Sequence, residues 1–239
     1  MSDSAPTTAS THSDTNETGR AATDADTTPW QRLADADPIR VRDPLAEVLG
    51  MVPEGEPLVV TFPEVAKAAG HACPAVAGAY RATQLALDEL YPESTPVRSE
   101  VSVRVGGEPE QPGLGPMANV IRHVTGAADE TGFAGFGGYG GRDDLLSFGE
   151  VPGPGRSFAF TREDTDETVR VSFDPSATGV DPEDGGGSPM QAVGKLVAGE
   201  ASDAEREQFY DQWHGRVQRV LEAPAGDGSP FTLERASES

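Results

Sequence analysis

The stretch GHACPAVAGAYRATQLALDEL, residues 70–90, decides the fold. Its apolar positions recur at steps of four, seven and three residues, which places them on one face of a helix. Those positions are Val76, Tyr80, Leu87 and Leu90. Pro74 suits the first helical position, where its missing N–H leaves no bond unmade, and Pro92 stops the pattern. We therefore predict a helix from residue 74 to residue 91 with its apolar face on a core.

Strand and helix patterns alternate further along the chain. Val101, Val103 and Val105 alternate with polar residues, which predicts a half-buried strand. A second helix runs through Met117 and ends at Gly126. The remaining predicted elements are a strand at 145–148, a hairpin at 156–160 and 168–173, and helices at 190–198 and 204–221. The fold class is α+β: a compact domain with a mixed or antiparallel sheet packed against helices, plus a C-terminal helix.

The two ends of the chain look different from its middle. Residues 1–28 are Ser, Thr, Asp and Ala with little to bury, which predicts a disordered acidic tail. This tail has neither the basic start nor the apolar run of a signal peptide. The domain is expected at 29–224, with a motif-bearing core at 57–175 and C-terminal helices at 188–222. Residues 225–239 are expected to form a second loose tail.

The charge of the chain excludes several classes of function. Its 239 residues include 18 basic and 40 acidic side chains, for a net charge of −22. Only Lys67 and Lys195 are lysines, and such an acid-rich, lysine-poor composition is typical of a cytoplasmic protein that works in molar salt, where the Debye length is about 3 Å. A surface of this sign repels nucleic acid, so we expect no nucleic-acid partner. No run approaches the roughly 20 apolar residues of a membrane span.

The sharpest local motif is Gly70-His71-Ala72-Cys73-Pro74. Cys73, the only cysteine, stands at the predicted N-cap of the first helix, where free N–H groups and the helix dipole lower a thiol pKa. His71 and Cys73 can share one metal ion, or the imidazole can hold the thiolate as an ion pair. Alternatively, Cys73 is a small buried side chain and His71 a loop residue bonded to backbone. The five residues alone leave these possibilities open.

Residues 132–149, GFAGFGGYGGRDDLLSFG, are rich in glycine. A phosphate-binding loop opens a helix and carries a basic residue just inside it. This stretch instead runs into Asp143-Asp144 and a predicted strand. We therefore expect a tight turn that lines a pocket, and no nucleotide site.

Residues 70–90 resemble the GHxCPG-x-x-x-G-x-R motif that opens the FmdE domain, a family named after formylmethanofuran dehydrogenase. The order of the following segments agrees with that family. It comprises a Val-rich strand, a helix that ends in Val124-Thr125-Gly126, a glycine-rich segment, and Arg-x-Asp-Leu-Leu-x-Phe at 142–148. The resemblance covers about residues 57–175.

The resemblance implies an α+β homodimer that binds zinc or another divalent transition metal. It also implies an accessory role beside a molybdenum or tungsten enzyme system, in which the chain is not itself the catalytic subunit. His71 and Cys73 match the family's histidine and cysteine and are the implied metal ligands. Candidates for the pocket wall are Tyr80, Asn119, His123, Tyr139 and Arg142.

The sequence departs from the family in its second motif. The usual Cys-x-x-Asp is replaced by Pro116-Met117-Ala118-Asn119, and Ala127 stands where a cysteine is common. The Cys-rich zinc module of some members has no counterpart here. With one thiol lost, we expect metal binding to be weaker, completed by water, a carboxylate or a partner, or absent.

Two other functions compete with the metal-binding accessory protein. One is a thiol-dependent enzyme or redox protein that uses Cys73 with His71 as base. It has no resolving cysteine, so any disulfide would form with a partner or a small thiol. The other is a ligand-sensing or structural dimer whose His-x-Cys motif is a relict.

Overall fold

The computed structural model describes residues 29–178 and 189–236, so the predicted tail at 1–28 lies outside the described residues. Within these ranges the chain forms seven α-helices and seven strands. In chain order these are α1 (Pro29–Leu33), β1 (Ile39–Val41), α2 (Pro44–Val48), β2 (Leu58–Val60), α3 (Phe62–Ala68), α4 (Pro74–Leu90), β3 (Val101–Gly106), α5 (Leu114–Thr125), β4 (Leu146–Gly149), β5 (Arg156–Arg162), β6 (Glu167–Phe173), α6 (Pro189–Ala198), α7 (Asp203–Glu222) and β7 (Phe231–Arg235).

The main sheet has five strands in the order β4-β3-β5-β6-β7. β3 and β4 are parallel, and the other neighbours are antiparallel. Val103 lies between Leu146 and Phe160, all three of them buried. A separate antiparallel pair joins β1 to β2. The predicted α+β class, with a mixed sheet packed against helices, is confirmed.

The predicted first helix is confirmed as α4. Pro74 occupies its first turn, and its C-cap is Tyr91, immediately before Pro92. The four apolar positions of the sequence pattern are all at most 1% exposed. α4 packs against β6 on one side and against α5 and α7 on others, so it is the central helix of the domain.

Gly78 allows α4 to lie unusually close to the sheet. A Cβ atom on Gly78 would lie 2.3 Å from Cε1 of Phe173 on β6. The Phe173 ring cannot move aside freely, because it is fully buried and stacks on Phe231 at 4.9 Å. Any residue larger than glycine would therefore push the helix away from the strand.

Tyr80, expected at the pocket wall, lies in the core with 1% exposure. Its hydroxyl accepts the N–H of Ile39 at 3.2 Å and lies 2.9 Å from the carbonyl oxygen of Val60. These bonds attach the two-stranded sheet to α4. The pocket assignment of Tyr80 is wrong because its polar atom is used by backbone groups inside the fold.

The C-terminal segment also differs from its prediction. The sequence predicts a loose tail at 225–239, but β7 pairs with β6 along its whole length, and Phe231 is fully buried. Pairing with a strand already in the sheet stabilises a segment whose own pattern is too short to recognise. Residues 237–239 lie outside the described residues.

We predict that Gly78→Ala lowers the free energy of unfolding by about 1–3 kcal/mol, because its Cβ overpacks the contact with Phe173. The matched control is Gly115→Ala on α5, where a Cβ meets nothing within 4 Å. That change should be neutral or stabilising by less than about 1 kcal/mol. Urea unfolding of both variants measures the difference, and equal losses would contradict the close approach.

Candidate functional site

The His71–Cys73 segment connects α3 to α4. Gly70 turns the chain with φ +93°, and the His71 side chain is exposed. Cys73 is the N-cap of α4, as predicted, and its Sγ accepts the N–H of Val76 at 3.5 Å. From α7, the indole N–H of Trp213 donates to the Ala72 carbonyl at 2.9 Å. The segment is therefore held between two helices.

Cys73 is only 9% exposed. This burial raises the pKa of Cys73, although the N–H groups of Val76 and Ala75 act in the opposite direction. The expected lowering of this pKa is wrong, because burial destabilises the thiolate by more than the N–H groups at the helix N-terminus stabilise it. At neutral pH Cys73 is consequently protonated and weakly nucleophilic.

The residues around this segment do not build a complete metal centre within one chain. Among residues 29–178 and 189–236, no three or more His, Cys, Asp or Glu side chains are grouped where they could hold a metal ion. Zinc sites use three protein ligands where they are catalytic and four where they are structural. His71 and Cys73 supply two donors at most, so a metal here would need donors from elsewhere.

A second cluster, which the sequence did not indicate, surrounds Asp43. We call Asp43, Arg98 and Arg142 the arginine–aspartate cluster. Asp43 is 2% exposed and caps α2, with Oδ1 accepting the N–H groups of Leu45 and Ala46, both at 3.1 Å. Its Oδ2 accepts Nη1 of Arg98 at 3.1 Å and Nη2 of Arg142 at 2.6 Å. Each carboxylate oxygen of Asp43 therefore accepts two hydrogen bonds.

The arginine–aspartate cluster stays charged at neutral pH. Burial acts to raise the pKa of Asp43, but the N–H of Ala46 and the charges of Arg142 and Arg98 outweigh it and hold that pKa below its usual value. Burial and the neighbouring Arg142 lower the pKa of Arg98. Two guanidinium groups share one carboxylate, so the cluster has one positive charge in excess within a strongly acidic protein.

Three of the predicted pocket residues adjoin this cluster. Arg142 belongs to it, the hydroxyl of Tyr139 lies 3.5 Å from the Pro44 carbonyl, and the His123 carbonyl accepts Nη2 of Arg98. Asn119 is exposed one turn before His123 on the same side of α5. Burial and Arg98 lower the pKa of His123, while Glu64 opposes them, so His123 is neutral at pH 7.

The glycine-rich stretch forms the tight turn that its sequence predicts. Phe136 and Tyr139 exchange backbone hydrogen bonds of 3.0 and 3.2 Å across Gly137 and Gly138, which both have positive φ. Tyr139 is 47% exposed, and the rings of Phe133 and Phe136 meet edge to face at 5.4 Å, both also exposed. The turn therefore presents three aromatic rings to solvent beside the cluster.

Comparison with known proteins does not assign the chain to a family. No family model matches the chain, and no curated protein is significantly similar to it. None of the helices in the described ranges is long and apolar enough to cross a membrane.

We predict that Asp43→Asn lowers the free energy of unfolding by about 3–5 kcal/mol at pH 7, because it leaves two partly buried guanidinium groups without a carboxylate. Asp129→Asn is the matched control: it breaks a pair with Arg122 whose side chains are 36% and 40% exposed. The control should cost less than about 1 kcal/mol.

The pH dependence of this difference follows from the lowered pKa of Asp43. Its contribution is complete above the unfolded-state pKa of about 3.9 and disappears as the pH falls through the folded-state value. The gap between wild type and Asp43→Asn should therefore shrink below about pH 4. A gap that is independent of pH, measured by denaturant unfolding, would contradict an ionised Asp43.

Proposed function

We propose that the protein is a cytoplasmic FmdE-like accessory protein that binds a ligand or partner and does not catalyse a thiol reaction. The observation that argues against a thiol reaction is that the sole cysteine is the buried cap of α4 and has a raised pKa. The GHACP motif and the order of elements that follows it support the family assignment. As in that family, we propose a homodimer that assists a molybdenum or tungsten enzyme system.

The thiol-enzyme alternative loses its main support. A catalytic cysteine works as a thiolate, which requires a lowered pKa and an accessible sulfur. Cys73 has a raised pKa, is 9% exposed, and uses its sulfur to accept the Val76 N–H. A reaction at this atom would have to open the first turn of α4.

The metal part of the proposal concerns zinc or another divalent transition metal at His71 and Cys73. Binding would require loss of the thiol proton, so the raised pKa of Cys73 weakens the affinity at neutral pH. Two protein ligands also leave coordination positions for water, a small molecule or a side chain of a partner. We therefore propose an easily released ion rather than a structural one.

The exposed side chains beside the arginine–aspartate cluster are where we propose ligand or partner contact. Asn119, His123 and Tyr139 offer an amide, a neutral imidazole and a phenol at the surface. Arg142 is rigidly held behind them by Asp43. Aromatic and arginine side chains are enriched at protein interfaces.

Metal content tests the site directly. We expect wild-type protein, purified without a histidine tag and reconstituted under reducing conditions, to hold metal that a mild chelator removes. His71→Ala and Cys73→Ser should each lose most of it, because neither ligand can be spared. His123→Ala, which removes another exposed histidine, should retain it. Mass spectrometry in high salt gives the occupancy, and circular dichroism checks the fold.

Two outcomes would contradict the metal part. One is a wild type with less than about a tenth of an equivalent after reconstitution, which leaves the motif as a relict. The other is equal occupancy in wild type and all three variants, which places the metal elsewhere.

A further inference from the structure

The face of the main sheet that points away from α4 carries two arginines. Phe173 of β6 meets Gly78 of α4, and side chains alternate along a strand, so Arg170 lies on the opposite face of the sheet. The strand register places Arg104 of β3 and Arg170 on either side of Ala159 of β5. Because neighbouring strands are about 4.8 Å apart, the Cα atoms of the two arginines are separated by about 10 Å. The short side chain of Ala159 leaves the space between them open.

The loop after β4 turns this part of the sheet face into a cavity. Gly153 packs directly on the hydroxyls of Ser157 and Ser172, where a Cβ atom would overlap both Oγ atoms. Beside this loop lies a cavity of about 370 Å³, and its lining includes the two arginines together with Val151 and Pro152. Small-molecule sites in proteins enclose roughly 300 to 1,000 Å³, so the cavity has room for a small organic molecule.

The two guanidinium groups keep unused donors on this face. Arg104 is exposed and forms no hydrogen bond or ion pair within residues 29–178 and 189–236. Arg170 donates from Nη2 to Glu234 at 3.2 Å, while its Nε is buried and has no partner among those residues. Glu234 is exposed, so it compensates the charge of Arg170 only weakly. Ser147 of β4, in register with Arg104, adds a hydroxyl to the cavity.

The acidic side chains of the cavity restrict which ligand fits. Asp144 and Glu150 also line it, and both are exposed. No ion pair of the described chain joins either of them to Arg104 or Arg170, so the guanidinium groups are not neutralised from within the cavity. Exposed carboxylates are screened by molar salt over about 3 Å, whereas a group between the arginines contacts them directly. The two carboxylates still disfavour a polyanion, so the ligand carries a single oxyanion group.

We propose that this cavity binds a small organic anion whose carboxylate or phosphate group lies between Arg104 and Arg170. The planar fork of a guanidinium group matches the oxygens of such a group and gives short, charge-assisted hydrogen bonds. Val151 and Pro152 then contact the apolar part of the ligand. The site lies on the other face of the sheet from α4, so it is independent of the His71–Cys73 segment and of the metal proposed there.

Isothermal titration calorimetry of the full chain in molar KCl tests the proposal with two probes, butyrate and inorganic phosphate. We expect wild type to bind at least one of them at one molecule per chain, and the probe that binds identifies the oxyanion. Arg104→Gln should weaken this binding by at least about tenfold, because it removes charge-assisted hydrogen bonds. The control is Arg40→Gln, the same change at an exposed arginine on β1 of the two-stranded sheet, and it should bind like wild type.

A third variant places a carboxylate of the protein where the ligand's oxyanion is expected. Ala159→Glu should abolish binding, because the new side chain pairs with the two guanidinium groups, and circular dichroism should show the fold of wild type. Three results would overturn the proposal: a wild type that binds neither probe, equal affinity in the Arg104→Gln and Arg40→Gln proteins, or an Ala159→Glu protein that binds like wild type.

Discussion

The contact between the bare backbone of Gly78 and the ring of Phe173 determines where α4 lies on the sheet. Because α4 is the central helix, its position fixes the neighbouring parts of the fold. It carries Tyr80 to the β1–β2 pair and places Cys73 at the end of the helix that faces Trp213. A helix shifted away from β6 would lose these contacts together.

The same packing explains the chemistry of the only cysteine. A cysteine at an N-cap on the surface would favour the thiolate form. Here the first turn of α4 already lies in the core, and Val76 is fully buried. The cap is consequently nearly buried, and the loss of hydration dominates over the N–H groups. Cys73 thus stabilises the start of α4, while reactivity is suppressed.

Long, periodic elements could be predicted from the sequence. α4, β3, α5 and the β5–β6 hairpin each have enough residues for a repeat to be recognised, and each is bounded by Pro or Gly. The short elements α1, α2 and α3 and strand β7 have too few residues for a period and depend on contacts from elsewhere. Their positions follow from tertiary packing rather than from local pattern.

The candidate site was less predictable, for the same reason. Asp43 bonds to Arg98 and Arg142, which lie 55 and 99 residues away, so no local motif shows their association. The Asp43-Pro44 pair marks only the local start of α2 and carries no information about the two arginines. Likewise, the position of Cys73 at the N-cap follows from the sequence. Its burial instead depends on the packing of α7 and on how closely α4 packs into the core.

The pH dependence of Cys73 alkylation in native protein, compared with protein unfolded in urea, tests most directly whether this thiol is structural. We expect slower reaction in the native protein at every pH and an apparent pKa above the value of about 8.5 that is usual for a free thiol. Native protein that reacts faster than unfolded protein, with an apparent pKa near neutrality, would contradict a structural role and restore the thiol-enzyme function.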